Sequence, residues 1–279
     1  MNIRRLPSFA LRTLLSVAIV FVAAPCRLSA QPEDNVRLTV FAAASLTECF
    51  NAMAREFASA HAAVTFSFNF AGSQQLAQQI AQGAPVDIFV SANRKQMEEA
   101  AKSGRIDTSQ TRIFASNRLV VVYPKENVEG LRFLSDLSRP HLKIVLADKA
   151  VPVGQYSLEF LDKCEKSLAF GPGFREYVVA NVVSHEENVR AVLAKVVLGE
   201  ADAGIVYTSD VSERVRNDVG TIEIPDSLNV IAAYPIAPIL DSHSPRLAGE
   251  FVAFILSEQG RAVLSRFGFV PLTVRKETK

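Results

Sequence analysis

"VRLTVFAAA" (36–44) runs straight into "SLTECF" (45–50), and this junction decides the fold. The first stretch is apolar and rich in β-branched residues, as a buried strand is. Beyond it Leu46, Phe50, Met53 and Phe57 recur at helical spacing and mark one apolar face. The same unit then repeats. "VTFSFNFAG" (64–72) alternates apolar and polar residues, and "SQQLAQQIAQG" (73–83) reads as a helix stopped by Gly83. "VDIFVSA" (86–92) is a strand feeding the polar helix "NRKQMEEAAKSG" (93–104). Three strand–helix units in a row predict an α/β architecture with a mainly parallel sheet and helices on both faces.

A second series starts at "RLVVVYP" (118–124) and continues with "LKIVLAD" (142–148) and a helix over 154–166. A strand at "EYVVANVV" (176–183), the helix "HEENVRAVLAKVVLG" (185–199) and the strand "AGIVYTSD" (203–210) complete it. "NVIAAYPIAPIL" (229–240) is a further strand, and residues 244–268 read as one terminal helix. The expected organisation is two lobes. Residues 31–117 and 232–279 form a discontinuous lobe 1, residues 118–231 form lobe 2, and a cleft lies at the hinge between them.

Residues 1–30 stand apart. Arg4 and Arg5, the short apolar run "LLSVAIVFVAA" (14–24) and small residues ending at Ala30 read as a cleaved secretory signal. Pro25 before Cys26 argues against a lipid anchor there. Taking 30 residues from 279 leaves 249, enough for two lobes with real cores. It also removes four arginines and no acid, which turns the formal charge from +1 to −3. Without a basic stripe or tail, neither nucleic acid nor an anionic membrane surface is an expected partner. Cys49 and Cys164 lie on separate predicted helices and read as two buried free thiols rather than a disulfide.

Four turns deliver backbone N–H groups to a helix start: Ser45-Leu46-Thr47-Glu48, Gly72-Ser73, "AVPVGQYS" (150–157) and "SHEENVR" (184–190). Ser45 with Glu48, and Ser184 with Glu187, carry the capping-box pattern. Plain capping accounts for any one of them. Yet the first N–H groups of a helix lack internal partners and sit at its positive end, so such starts also bind tetrahedral anions without lysine or arginine. In open α/β sheets ligands bind beyond the carboxyl ends of the strands, where two starts from each lobe would meet.

"FAAASLT", "FAGSQQLAQQIAQGAPVDIFVSA", "VPVGQYS", "ENVRAVL", "GEADAGIVYTSD" and the terminal "FGF" together resemble the periplasmic molybdate-binding proteins of ABC importers, over nearly the whole chain after residue 30. That resemblance implies a two-lobed periplasmic binding protein of type II-like fold. It implies a molybdate or tungstate oxyanion held between lobes by neutral donors, with no cofactor. Carried over residue by residue, Ser45 and Ser73 donate through hydroxyl and N–H, Val153 and Val189 through N–H, and Tyr207 through its phenol. Metal is then reached only through oxyanion oxygens. The implied partners are the membrane permease subunits of the importer, and a monomer suits such a receptor. The chain departs from the family in showing "AGSQQ" where a run of serines is common, and in a longer stretch between Val153 and Val189 that includes "FGPGF" (170–174).

The donor set fits a fully deprotonated dianion, which presents acceptors only. Hydrogen phosphate carries a proton and wants an acceptor, so it is disfavoured. Sulfate accepts the same bonds as molybdate and stays as an alternative, separated only by cavity size. An enzyme is the other class of reading, a secreted hydrolase being its form. His61, His141, His185 and His243 are scattered, no G-x-S-x-G occurs, and "HEEN" at 185 is not H-E-x-x-H because Val189 stands at the fifth position. No P-loop or G-x-G-x-x-G is present either. The five tyrosines are too dispersed for an iron carrier, and the signal with no helix-turn-helix argues against a transcriptional sensor.

Overall fold

The computed structural model describes residues 36–272, so the export signal expected over residues 1–30 lies outside the described residues. The chain opens with β1 (Val36–Ala43), α1 (Thr47–Ala60), β2 (Val64–Ala71), α2 (Ser73–Ala81), β3 (Ile88–Val90) and α3 (Arg94–Ala101). Strands β4 (Arg112–Asn117) and β5 (Leu119–Pro124) follow almost without a break. Next come β6 (Ile144–Ala147), α4 (Pro152–Glu165), α5 (Phe174–Ala180), β7 (Val182–Glu186), α6 (Val189–Val197), β8 (Ala203–Tyr207) and β9 (Val219–Glu223). The chain closes with β10 (Ala232–Pro238), α7 (Pro245–Leu256), α8 (Glu258–Arg266) and β11 (Val270–Pro271).

These strands build two mixed sheets. The first has the order β11-β4-β10-β3-β1-β2, and the second β7-β6-β8-β5-β9. Parallel pairing holds for β2, β1 and β3 in one and for β7, β6 and β8 in the other. The remaining pairs are antiparallel. β1 is interior to its sheet and buries both faces, as its apolar sequence requires. Leu38, Val40 and Ala42 pack with Phe50 and Met53 of α1, while Phe41 packs on the other side with Leu76, Ile80 and Met97 of α2 and α3. Phe50 meets Phe114 and Phe251 edge-on at 6.0 and 6.3 Å, which ties α1 to β4 and α7.

Only Arg118 separates β4 from β5, yet the two strands belong to different sheets. The chain therefore crosses between lobes there and returns between β9 and β10. Asn229 binds the two crossings together. Its side chain accepts from the N–H of Leu119 at 3.0 Å and donates to the carbonyls of Leu119 and Ile224 at 2.9 and 3.1 Å.

Three local expectations are corrected. The segment expected as a strand over 176–183 is mostly helix α5, because Phe174 and Val178 bury at i, i+4 spacing while Tyr177 and Val179 face solvent. Glu165 caps that helix, accepting from the N–H groups of Gly173 and Arg175 at 2.9 and 3.0 Å. The single helix expected over 244–268 is two, since Ser257 is extended and its hydroxyl caps α8 through the N–H of Gly260. The helix expected from residue 185 begins at Val189, and residues 184–186 belong to β7 instead.

Gly154 lets α4 start against the end of β6. A Cβ there would stand 2.1 Å from the Asp148 carbonyl oxygen and 2.4 Å from that of Ala147, and neither backbone atom can move aside. Gly154→Ala is expected to destabilise the protein by about 1–3 kcal/mol, as overpacking does. Urea unfolding checks it through a lower midpoint at unchanged slope.

Candidate functional site

The carboxyl ends of β1 and β2 face those of β6, β7 and β8 across the cleft, and the helix starts that follow them enclose one small cavity. Residues 43–45, 71–73 and Ala92 line it from lobe 1, and residues 151–153, Asn188, Val189 and Tyr207 line it from lobe 2. The structure thus brings Ser45, Ser73, Val153, Val189 and Tyr207 around one cavity. About 10 Å³ is open to the centre of a water-sized sphere. That is about the room a single water molecule needs, and far too little for an amino acid or a sugar. None of the lining side chains is charged.

Each helix start reaches this place by its own local rule. Ser45 sits in a one-turn 3-10 helix (Ala44–Leu46), and α1 begins only at Thr47 with no side-chain cap. The capping box expected from Ser45 and Glu48 is therefore absent. Ser45 Oγ lies 3.0 Å from the Tyr234 hydroxyl instead, and Glu48 turns to Arg190 of the other lobe. Ser73 opens α2 and accepts from the N–H of Ala92 at 3.0 Å, which leaves its own proton free to donate. Pro152 takes the first position of α4, where an N–H has no helical acceptor, and Val153 follows it.

At α6 the cap is Asn188, whose Oδ1 accepts from the N–H groups of Arg190 and Ala191 at 2.9 and 3.1 Å. Ser184, expected to cap this helix, instead accepts from Lys195 Nζ at 2.8 Å inside β7. An asparagine directly before a helical run is a sequence signal that would have found the true cap. Among the described residues, the N–H groups of Ser45, Ser73, Val153 and Val189 find no acceptor in the protein.

Tyr207 ends β8 and is 1 % exposed, yet among the described residues its hydroxyl makes no hydrogen bond of ordinary geometry, with the Tyr234 side chain close beside it. Burial pushes its phenol well above the usual tyrosine range, so the proton stays on and the group is a donor. Its backbone N–H donates to Asp210 Oδ2 at 3.0 Å. Asp210 is fully buried, and burial raises its carboxyl to about 6, with the nearby Arg190 guanidinium acting against that rise. Among the described residues, no group of three or more His, Cys, Asp or Glu side chains is placed to hold a metal ion.

The lobes touch over the cavity. Gln74 Nε2 donates to the Glu187 carbonyl at 3.0 Å, Gln75 Nε2 to Glu187 Oε2 at 3.1 Å, and Gln96 Nε2 to the Ala150 carbonyl at 3.1 Å. Gly72 lies so near that a Cβ would stand 2.5 Å from the Glu187 carbonyl oxygen. Tyr234, Arg190, Asp210 and these glutamines escaped the sequence reading, since each acts through a partner far along the chain. Cys49 and Cys164 are buried and unbonded, and burial pushes both thiols up to about 12.

Comparison with known proteins adds an independent line. The family described as bacterial extracellular solute-binding protein matches residues 38–270. The molybdate-binding protein ModA of Mycobacterium tuberculosis is 36% identical over 246 residues, covering 88% of this chain and 89% of that one. The protein of the same name from Escherichia coli is 32% identical over 244 residues, covering 85% and 90%. Among solved structures, the sulfate-binding protein SubI of M. tuberculosis superposes with a TM-score of 0.76 at 19% identity, over 86% of this chain and 88% of that one. At that identity the likeness concerns the fold alone.

Two outcomes test the site's energetics without any ligand. Removing a buried hydroxyl that has no partner is expected to leave stability unchanged or raise it by up to about 1–3 kcal/mol. Urea unfolding of Tyr207→Phe decides this, and a clear loss would mean the hydroxyl already has a partner in the protein. Asp210 has a folded-state pKa above its unfolded value. Its contribution is therefore present below the model-compound value of 3.8 and is lost as pH rises through about 6. Asp210→Asn should gain on the wild type by about 2 kcal/mol between pH 4 and pH 7, read from paired unfolding curves.

Proposed function

The chain belongs to the bacterial extracellular solute-binding protein family, and on that premise we propose that it captures molybdate in the cleft and hands it to an ABC importer. The observation that carries this reading is the buried Tyr207 hydroxyl, which lacks a partner and lines a cavity together with four helix-start N–H groups that also lack one. Ser45 and Ser73 add hydroxyls to the set. Such a shell is rich in donors and holds no carboxylate or cation, which suits a small dianion whose oxygens only accept. Asp210 does not change this, because it is absent from the cavity lining and is engaged by the Tyr207 N–H.

The ligand-binding residues in this reading are Ser45, Ser73, Val153, Val189 and Tyr207, reaching the metal only through oxyanion oxygens. Tungstate has the same charge and shape and is accepted in the same way. Molybdate over sulfate rests on the named relatives and on the small residues Ala43, Ala44, Ala71 and Gly72, which set the cavity's width. Hydrogen phosphate would place its proton against a donor. Residues 1–30 act as the cleaved signal that takes the chain to the periplasm, residues 118–231 close as lobe 2 against the rest, and the receptor works as a monomer with the importer's permease subunits as partners.

Thermal-shift measurements with molybdate, tungstate, sulfate and phosphate test the class, because stabilisation follows affinity by mass action. Large shifts are expected with the first two anions; a response to sulfate or phosphate alone overturns the assignment. Ser45→Ala and Tyr207→Phe each remove one hydrogen bond to a charged acceptor, a loss of about 1.5–3 kcal/mol or roughly tenfold or more in affinity. Calorimetric titration reads it, and unchanged affinity in both variants would sink the site.

A further inference from the structure

Arg190 reaches from α6 in lobe 2 to the anion-side turn of lobe 1. Its Nε donates to the carbonyl oxygen of Ala44 at 3.3 Å, and its Nη2 meets the Glu48 carboxylate of α1. Nε also lies 3.9 Å from Asp210 Oδ1 on its own lobe. The Ala44 carbonyl already accepts from Thr47 Oγ1 at 2.7 Å and from the N–H of Thr47. This carbonyl belongs to the same peptide unit as the Ser45 N–H. In a planar trans peptide the C=O and the N–H point in opposite directions. Holding the Ala44 oxygen from outside therefore aims the Ser45 N–H inward, and a cationic donor on that oxygen polarises the unit and strengthens the N–H as a donor.

We propose that Arg190 is a positioning residue for anion binding: it crosses the cleft, braces the Ala44–Ser45 peptide and so ties one ligand donor of lobe 1 to the approach of lobe 2. Arg190 follows Val189 directly, so the residue that brings one N–H to the cavity also carries the brace for another. Glu48 holds the guanidinium on the lobe 1 side, and Asp210 backs it on the lobe 2 side. The charge stays outside the cavity lining, so the ion meets neutral donors while a cation acts through the backbone. The bond exists only when the lobes meet. Its loss is then felt chiefly in how fast the ion leaves, since encounter with an open cleft does not use it.

The brace rests on the oxyanion reading, and the test separates the two. Wild type, Arg190→Gln, Arg190→Lys and Glu48→Gln are titrated with sodium molybdate, sodium tungstate, sodium sulfate and sodium phosphate. Release is followed by tyrosine fluorescence, since the chain has five Tyr and no Trp. Arg190→Gln is expected to weaken binding of the preferred anion by about tenfold, with most of the change in the off-rate. Arg190→Lys keeps a charge but not the guanidinium fork, and should also release faster. Glu48→Gln should do less, and adding it to Arg190→Gln should cost nothing more, because the pair acts as one unit. Ligand-free unfolding midpoints of all variants, read at pH 4, where Asp210 is protonated and does not need the guanidinium, should match the wild type, which a merely structural role would not allow. Wild-type binding with affinity and off-rate unchanged in both Arg190 variants overturns the brace alone. A wild type that binds none of the four anions sinks the oxyanion reading and the brace with it. If Arg190→Gln fails to fold, Arg190→Lys and Glu48→Gln carry the comparison.

Discussion

Four backbone N–H groups and one phenol with no acceptor among the described residues form the constraint on which the rest of the structure turns. A buried donor left unpaired costs about 1–3 kcal/mol. Five of them around one small cavity are tolerable only because they sit on the most rigid parts of the fold, where they can share one acceptor-rich guest. Each N–H is fixed by a helix start that follows a sheet strand, and the sheets fix the strands. The turns carry Ala43, Ala44, Ala71 and Gly72 because anything larger would fill the space the donors face. Pro152 and Asn188 serve the same end by different means: one removes a competing donor, and the other satisfies two N–H groups while leaving its neighbour free.

Charge is present near the cavity but is kept one step away from it. Arg190, Glu48 and Asp210 lie behind the helix starts, and their mutual contacts cross the cleft. A lysine or arginine inside the cavity would have to be stripped of water whenever the lobes met, at a cost of several kcal/mol. Peptide dipoles already aimed by secondary structure avoid that cost and lose no side-chain freedom. The arrangement also explains why a chain with a slightly negative formal charge after residue 30 can present a favourable site for an anion. In the proposed site the attraction would come from local orientation, not from the overall field.

The strand–helix rhythm was legible because each unit buries its own apolar face, and β1 with α1 shows this in one stretch. The helix-start turns were legible from Ser, Gly-Ser or Pro next to a strand, whereas the choice of residue in each turn, and Tyr207, came from the family resemblance; all five line one cavity. The capping boxes were misread for a physical reason. Capping is inferred from spacing alone, but the Ser45 hydroxyl is engaged by Tyr234 and Glu48 by Arg190, residues that sequence proximity does not connect. β9 and β11 were missed because a short edge strand has little apolar alternation of its own, and β4, which lies between β11 and β10, because its sequence RIFASN is half polar. The strand reading of residues 176–183 followed a run of β-branched residues that the fold leaves largely in solvent, with Phe174 and Val178 supplying the buried, helical signal.

β10 lies third in its sheet, between β4 and β3, although it is the tenth strand along the chain. Without it the six-stranded sheet falls into the trio β2-β1-β3 and the pair β4-β11, with open edges facing each other. All five strands of the other sheet lie within the single stretch 119–223. The order of assembly is therefore set by connectivity. As the chain becomes available from its N-terminus, the middle lobe has every strand it needs before the lobe that begins and ends the sequence has its centre. The first half of that outer lobe must wait, with its apolar faces uncovered, for residues 232–238 to arrive.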